Sequence, residues 1–203
     1  LSHALNSKAV GRKVASLLGK EYKEVRLIVA HLGTGVSVSA QRYGRTIDVN
    51  NAMDEGPFSP DRCGTLPANQ LVRLCYSGRY SEAEMRAKVT SQGGMYSYLG
   101  TKDVREAKKM AEAGDEQAAL VLEALPYQIA KDIGAMAAVL EGQVDAIALT
   151  GGIAYSEAIV ADIRRRVEFI APVYVVPGEE ELESLALGAL RVLRGEEEAR
   201  RYE

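Results

Sequence analysis

The period of the hydrophobic positions changes along the chain and divides it. Over residues 26–50 (RLIVAHLGTGVSVSAQRYGRTIDVN) apolar side chains recur about every second residue, in short runs broken at Gly33-Thr34-Gly35 and Tyr43-Gly44-Arg45. A period near two interrupted by glycine predicts three consecutive antiparallel strands. Before them, Val10, Val14, Leu17 and Leu18 share a face of a helix over residues 8–18, capped by Asn6 or Ser7 and ended by Gly19. Residues 50–66 are polar, punctuated by Gly56, Pro57, Pro60 and Gly64, and read as a loop able to display functional groups.

Helical spacing then returns. Pro67 opens a helix over residues 67–75 with Leu71, Leu74 and Cys75 inward. Ser81 and Glu84 form a capping box for residues 82–89. Gly93-Gly94 breaks the chain before a short apolar segment over residues 95–99, and Asp103 caps a further helix with Glu106 three residues on. Residues 115–140 form an alanine-rich helix, apolar on several faces, with Pro126 expected to kink or split it. The continuous apolar run over residues 144–149 suits a buried parallel strand. Thr150-Gly151-Gly152, a helix over 156–167, a strand over 172–176, the Pro177-Gly178 turn and a helix over 180–193 follow; residues 195–203 are a charged, fraying end.

Three antiparallel strands, a helical insert over about residues 67–142, then strand–helix–strand–helix predict one mixed α/β sheet of five strands, three antiparallel then two parallel. Helices cover both faces. That is the ribonuclease-H-like core, present once and without an internal repeat.

Composition narrows the function. At 203 residues there is room for one large domain with a real core, or for two small ones. A net charge of −3 gives no reason to expect nucleic acid as a partner. No apolar run reaches spanning length, nothing at the start resembles a signal peptide, and Cys63 and Cys75 lie outside any metal-ligand spacing. A cytoplasmic protein without a membrane partner is the expectation. The chain opens on Leu1 rather than methionine, so an upstream part is expected to be missing.

Candidate chemistry sits at strand ends. Gly33 and Gly35 can take positive φ and expose backbone amides as an anion concavity, or can simply make a hairpin turn. Gly151-Gly152 between a strand and a helix admits a ligand close to the backbone, or reflects tight packing. Arg62 offers a planar fork for phosphate or carboxylate, or is a surface cation. A Glu179-Glu180-Glu181 run at a helix start is a solvated cap, or turns one carboxylate toward Mg²⁺. Cys63 reads as a small packing residue rather than a nucleophile. No P-loop spacing occurs.

Taken together, His31-Leu32-Gly33-Thr34-Gly35, Asp48-Val49-Asn50-Asn51, Glu55-Gly56-Pro57-Phe58-Ser59-Pro60, Leu149-Thr150-Gly151-Gly152 and Pro177-Gly178-Glu179-Glu180 resemble the butyrate kinase branch of the acetate kinase family, within the actin-like ATPase superfamily. The resemblance runs from His3 to Glu203. It implies transfer of phosphate between ATP (or ADP) and a short-chain carboxylate or its acyl phosphate. In that family a histidine matching His3 and an arginine matching Arg62 flank the phosphoryl group. The turn His31 to Gly35, including Gly33 and Thr34, holds nucleotide phosphates beside Gly151. Asp103, Val104 and Arg105 with Gly152, Ile153, Ala154 and Tyr155 resemble the adenosine pocket, and Glu180 matches the Mg²⁺ carboxylate, in a register its two neighbours leave uncertain by one.

Departures are present too. Thr34 stands where a third glycine is common, Cys63 and Thr65 replace small residues after the arginine, and Pro126 interrupts a helix. The family builds its cleft from two such domains and pairs through the second. The expectation is therefore a C-terminal, nucleotide-binding half, its N-terminal domain absent, forming a homodimer or higher oligomer and inactive alone. The alternative is a non-catalytic nucleotide-binding or dimerisation module. A nuclease on the same fold is disfavoured because residues 26–31 carry no metal-binding acid.

Overall fold

The computed structural model of the chain describes residues 3–179, 181–196 and 198, and no side chains over 181–184. Its centre is a five-stranded sheet of β1 (Arg26–Leu32), β2 (Val36–Arg42), β3 (Arg45–Val49), β4 (Ala146–Gly151) and β5 (Val173–Pro177), in the order β3-β2-β1-β4-β5. β1–β2 and β2–β3 are antiparallel, whereas β1–β4 and β4–β5 are parallel, as the alternating and continuous apolar runs predict. Tyr43 and Gly44, both at positive φ, make the two-residue turn between β2 and β3.

Alternate residues of β1 feed two cores. Ile28, Ala30 and Leu32 join Ile147 and Leu149 against the long helix α6 (Glu116–Val139) and α7 (Glu157–Val167). Leu27 and Val29 join Ala146 and Ala148 under α1 (Ala4–Leu17), where Val10, Val14 and Ala15 are buried. Each such Leu or Ile contributes about 1.5–3 kcal/mol by leaving water. The polar face of β2 is buried as well: Gln41 donates to the Ser7 carbonyl at 3.1 Å and accepts from the Tyr22 hydroxyl at 3.0 Å. Satisfied hydrogen bonds are what allow that face to be covered.

The insert consists of α2 (Ala68–Cys75), α3 (Glu82–Thr90), α4 (Gly94–Leu99) and α5 (Val104–Glu112), and α8 (Glu181–Leu193) closes the chain. Four expectations are corrected. α1 begins at Ala4, with His3 rather than Asn6 or Ser7 before it, because both polar residues turn inward and are buried; Leu17 is exposed. α2 buries no residue: Leu71 and Leu74 are half-covered and Cys75 is exposed, since among the described residues no element packs over its apolar face. α6 runs unbroken through Pro126, where burial of Val121, Leu125, Ile129 and Ile133 on either side outweighs one missing backbone bond. β4 also extends past the predicted Leu149 to Gly151, because parallel pairing reaches Gly151 opposite Pro177. No helix among the described residues is long and apolar enough to cross a membrane.

Candidate functional site

Parallel pairing of β1, β4 and β5 sets their carboxyl ends side by side. His31 lies opposite Thr150, and Gly151 opposite Pro177. The Gly33 turn, the Gly151-Gly152 turn and the Gly178-Glu179 turn therefore leave one edge of the sheet, where open α/β sheets bind ligands. Gly151 and Gly178 exchange backbone hydrogen bonds at 3.1 and 3.2 Å, and the Thr150 hydroxyl donates to the Gly178 carbonyl at 3.1 Å. The β5 end is thereby clipped to β4.

His31, an odd-numbered residue of β1, points to the α1 side and is fully buried. Its Nδ1 lies 2.9 Å from Asn6 Nδ2, which as placed donates to it and leaves the ring proton on Nε2. His3 stacks on it with centroids 3.9 Å apart and places Nδ1 3.1 Å from Ser37 Oγ. Nε2 lies 2.9 Å from Glu179 Oε1, but out of line for a hydrogen bond. Burial, then the neighbouring His3, pushes the His31 pKa down to about 3, so the ring is neutral near pH 7.

The glycine turn differs from its sequence reading. Neither Gly33 nor Gly35 takes positive φ, and the Gly33 amide donates back to the Gly35 carbonyl at 3.1 Å, so it is not free for an anion. The glycines serve by lacking a side chain. A Cβ on Gly35 would run into Arg62 Nη1, and one on Gly33 would lie 3.0 Å from His31 Nε2. Arg62 arrives there because Asn50 and Ser59 pin its loop. Asn50 accepts from the Val38 amide and donates to the Val36 carbonyl at 3.1 Å, extending the β2 ladder, and the Ser59 hydroxyl donates to the Thr34 carbonyl. The guanidinium is mostly covered yet poorly partnered: Nη1 reaches the Ala52 carbonyl at 3.4 Å, Nε lies 3.8 Å from Asp61 Oδ1, and Nε makes no hydrogen bond. Such a cation is ready for an anion.

A cleft of about 1220 Å³ opens beside this turn. Gly33, Thr34 and Glu179 line it together with Asp103, Val104 and Arg105 and with Gly152, Ile153 and Tyr155. Segments some fifty residues apart in sequence thus share one cavity. Asp103 accepts from the Arg105 amide at 2.8 Å and from its guanidinium, whose contacts hold the Asp103 carboxyl down at about 2. His3, His31, Gly35, Arg62, Gly151 and Ala154 are not among the residues lining the cleft; they stand behind the turns that do. Gly151 and Gly152, at the end of β4, divide the alternatives between them. Gly151, at φ +89°, has the Leu32 carbonyl 2.5 Å from where a Cβ would be, which is tight packing, whereas a Cβ on Gly152 would meet open space.

Sequence reasoning missed Lys102, Lys108 and Glu157 at the cleft. Lys108 had a signal, since it lies four residues after Val104 and so shares its helix face. In sequence Asn50 is only part of a motif; its role, to substitute for backbone, is visible only in the structure. Cys63 is half-buried, and burial pushes its thiol up, in keeping with a packing role. Among the described residues no three His, Cys, Asp or Glu groups converge as a metal site. Mg²⁺ needs only one or two carboxylates plus substrate phosphates, and Glu179 brings a carboxylate to the cleft. Residues of this turn therefore fit such an ion, while Glu180 itself lies outside the described residues.

A model of the Acetokinase family matches residues 2–176. Among solved structures, the chain is similar to an acetate kinase from Porphyromonas gingivalis (TM-score 0.86, 24% identity, covering 93% of this chain and 54% of that one). It is similar to a propionate kinase from Francisella tularensis subsp. tularensis SCHU S4 (TM-score 0.80, 23% identity, 90% and 53%). It also resembles an acetate kinase from Entamoeba histolytica (TM-score 0.80, 18% identity, 93% and 57%). The chain spans about half the length of these structures, and at such identities the likeness shows the actin-like ATPase fold.

Proposed function

The chain belongs to the acetokinase family, and on that premise we propose that it is the C-terminal, nucleotide-binding half of a carboxylate kinase. The reaction moves phosphate between ATP and a short-chain carboxylate, butyrate or a branched acid. The observation that carries this reading is the cleft itself, whose lining brings residues 103–105 together with Gly152, Ile153 and Tyr155 and with Gly33 and Thr34 of the glycine turn. Tyr155, exposed on the cleft wall, and Ile153 offer apolar surface to a base, and Lys102, Arg105 and Lys108 offer charge to phosphates. Arg62 and His3 are the groups that meet the phosphoryl group in flight, and phosphoryl transfer requires little beyond such positioning and neutralisation. Glu180 would hold Mg²⁺, which when bound neutralises phosphate oxygens. Butyrate as the acid rests on the sequence motifs alone. The acyl pocket belongs to the other half of the cleft, and pairing of chains is part of the same proposal.

Gly152→Val tests the site, because its side chain enters open space and leaves packing untouched. By calorimetric titration, the wild-type chain binds ATP and the variant loses at least about tenfold in affinity, the effect of about 1.4 kcal/mol, with an unchanged circular dichroism melt. Equal affinity in the variant would return the cleft to an unassigned cavity. Turnover of butyrate at an ordinary kinase rate by the purified chain would overturn its being a half-enzyme.

A further inference from the structure

Glu179 stands where the cleft meets the buried histidine, and the transfer described above gives the Mg²⁺ to its neighbour Glu180. Its Oε1 lies 2.9 Å from His31 Nε2 and 3.5 Å from the point a Cβ on Gly33 would occupy. The two partners are unequal. The imidazole is wholly buried, held at Nδ1 by Asn6 and stacked on His3, so it cannot turn away. The Glu179 side chain is 45% exposed and lines the cleft, so it is free to leave. Nε2 has no hydrogen bond of its own, since the carboxylate meets it out of line. A buried donor left in this state is costly by comparison with one that is fully paired. What sits against it is an anion, beside a turn where both glycines have been stripped of side chains.

We propose that Glu179 is the resident anion of the phosphate site: in the free protein its carboxylate occupies, beside Gly33 and His31 Nε2, the place that a phosphate oxygen of a nucleoside di- or triphosphate takes on binding. It swings into the open cleft to admit that oxygen. The proposal rests on the nucleotide reading of the cleft. Its consequence is selectivity. A nucleoside fills the space between residues 103–105 and 152–155 and leaves the carboxylate in place, whereas a polyphosphate must displace it. His31, neutral and with its proton on Nε2, then donates to the incoming oxygen as it faced the carboxylate before. His31 and Glu179 are positioning residues in this scheme.

The test compares ATP with adenosine, both titrated calorimetrically in EDTA, against the wild-type chain and Glu179→Gln. Removing one like charge a few ångströms from the phosphate raises the ratio of ATP to adenosine affinity about fivefold. A structural role for Glu179 would not tighten binding. An unchanged or lowered ratio overturns the proposal while leaving the nucleotide site standing. Failure of the wild-type chain to bind either ligand removes both together. Histidine ¹⁵N spectra of the wild-type chain give an answer that does not depend on the variant folding. The His31 Nε2 resonance moves with ATP and stays with adenosine, and immobility at saturating ATP overturns the displacement.

Discussion

Glycines around the cleft differ in what a methyl group would meet, and that difference separates binding from folding. Gly35→Ala pushes on the far end of the Arg62 side chain, which can move aside; Gly151→Ala pushes on the Leu32 backbone and adds a side chain at φ +89°. The first change is expected to alter stability by less than about 1 kcal/mol while displacing the guanidinium and weakening phosphate binding. The second lowers stability by about 1–3 kcal/mol. Urea titrations of both variants check this, and equal losses would contradict the assignment. His31 makes a prediction of opposite kind. Its pKa falls from 6.5 to about 3 on folding, so below pH 6.5 the unfolded chain takes up a proton that the folded chain refuses. Its contribution is full above that pH and is lost as pH falls toward about 3. Between about pH 7 and pH 5 the loss is about 2 kcal/mol. Denaturation of wild type and His31→Gln at those two pH values should show the wild type falling more steeply, by about that amount.

At the level of elements, the loop after β3 is the one whose position matters most. Asn50 gives it a strand's hydrogen bonds without a strand's backbone, taking the Val38 amide and the Val36 carbonyl. Asn50→Ala leaves a buried amide without its partner and is expected to cost about 1–3 kcal/mol. Because the same loop delivers Arg62 to Gly35, ATP affinity should fall in the folded variant as well. A variant that lost stability but bound ATP normally would show that the loop is placed by Ser59 alone. Helix α6 shows the reverse relation of sequence to structure. Its proline forecasts a break, and packing of both halves against the same sheet face keeps it whole.

Over the whole molecule, cohesion is unevenly spread. β1 and β4 are buried on both faces, β3 is an exposed edge, and α2 buries nothing. Hydrogen exchange of the native chain should therefore be slowest at β1 and β4, approaching global unfolding, and fast at α2 by local opening. Protection of α2 amides equal to that of β1 would mean that another surface covers this helix in solution. The insert and the sheet meet at the cleft, which is lined by residues of α5 and by Gly152, Ile153 and Tyr155.

Sequence alone determined the strand order along the chain, the mixed sheet, the two capping positions at Ser81 and Asp103 and the motifs at 31–35, 103–105 and 149–155. These are local matters: period, capping chemistry and backbone freedom act over a few residues, and a spaced set of motifs survives without coordinates. Tertiary structure decided the rest. It turned Asn6 from a helix cap into a partner of His31, kept α6 whole across Pro126, and left α2 uncovered. It placed Arg62 on Gly35 and a carboxylate against a buried imidazole. Each of those outcomes depends on which surface arrives opposite a residue, and that is set by the pairing of β1 with β4 and the packing of α1 and α6 on opposite faces, contacts between segments far apart in the chain.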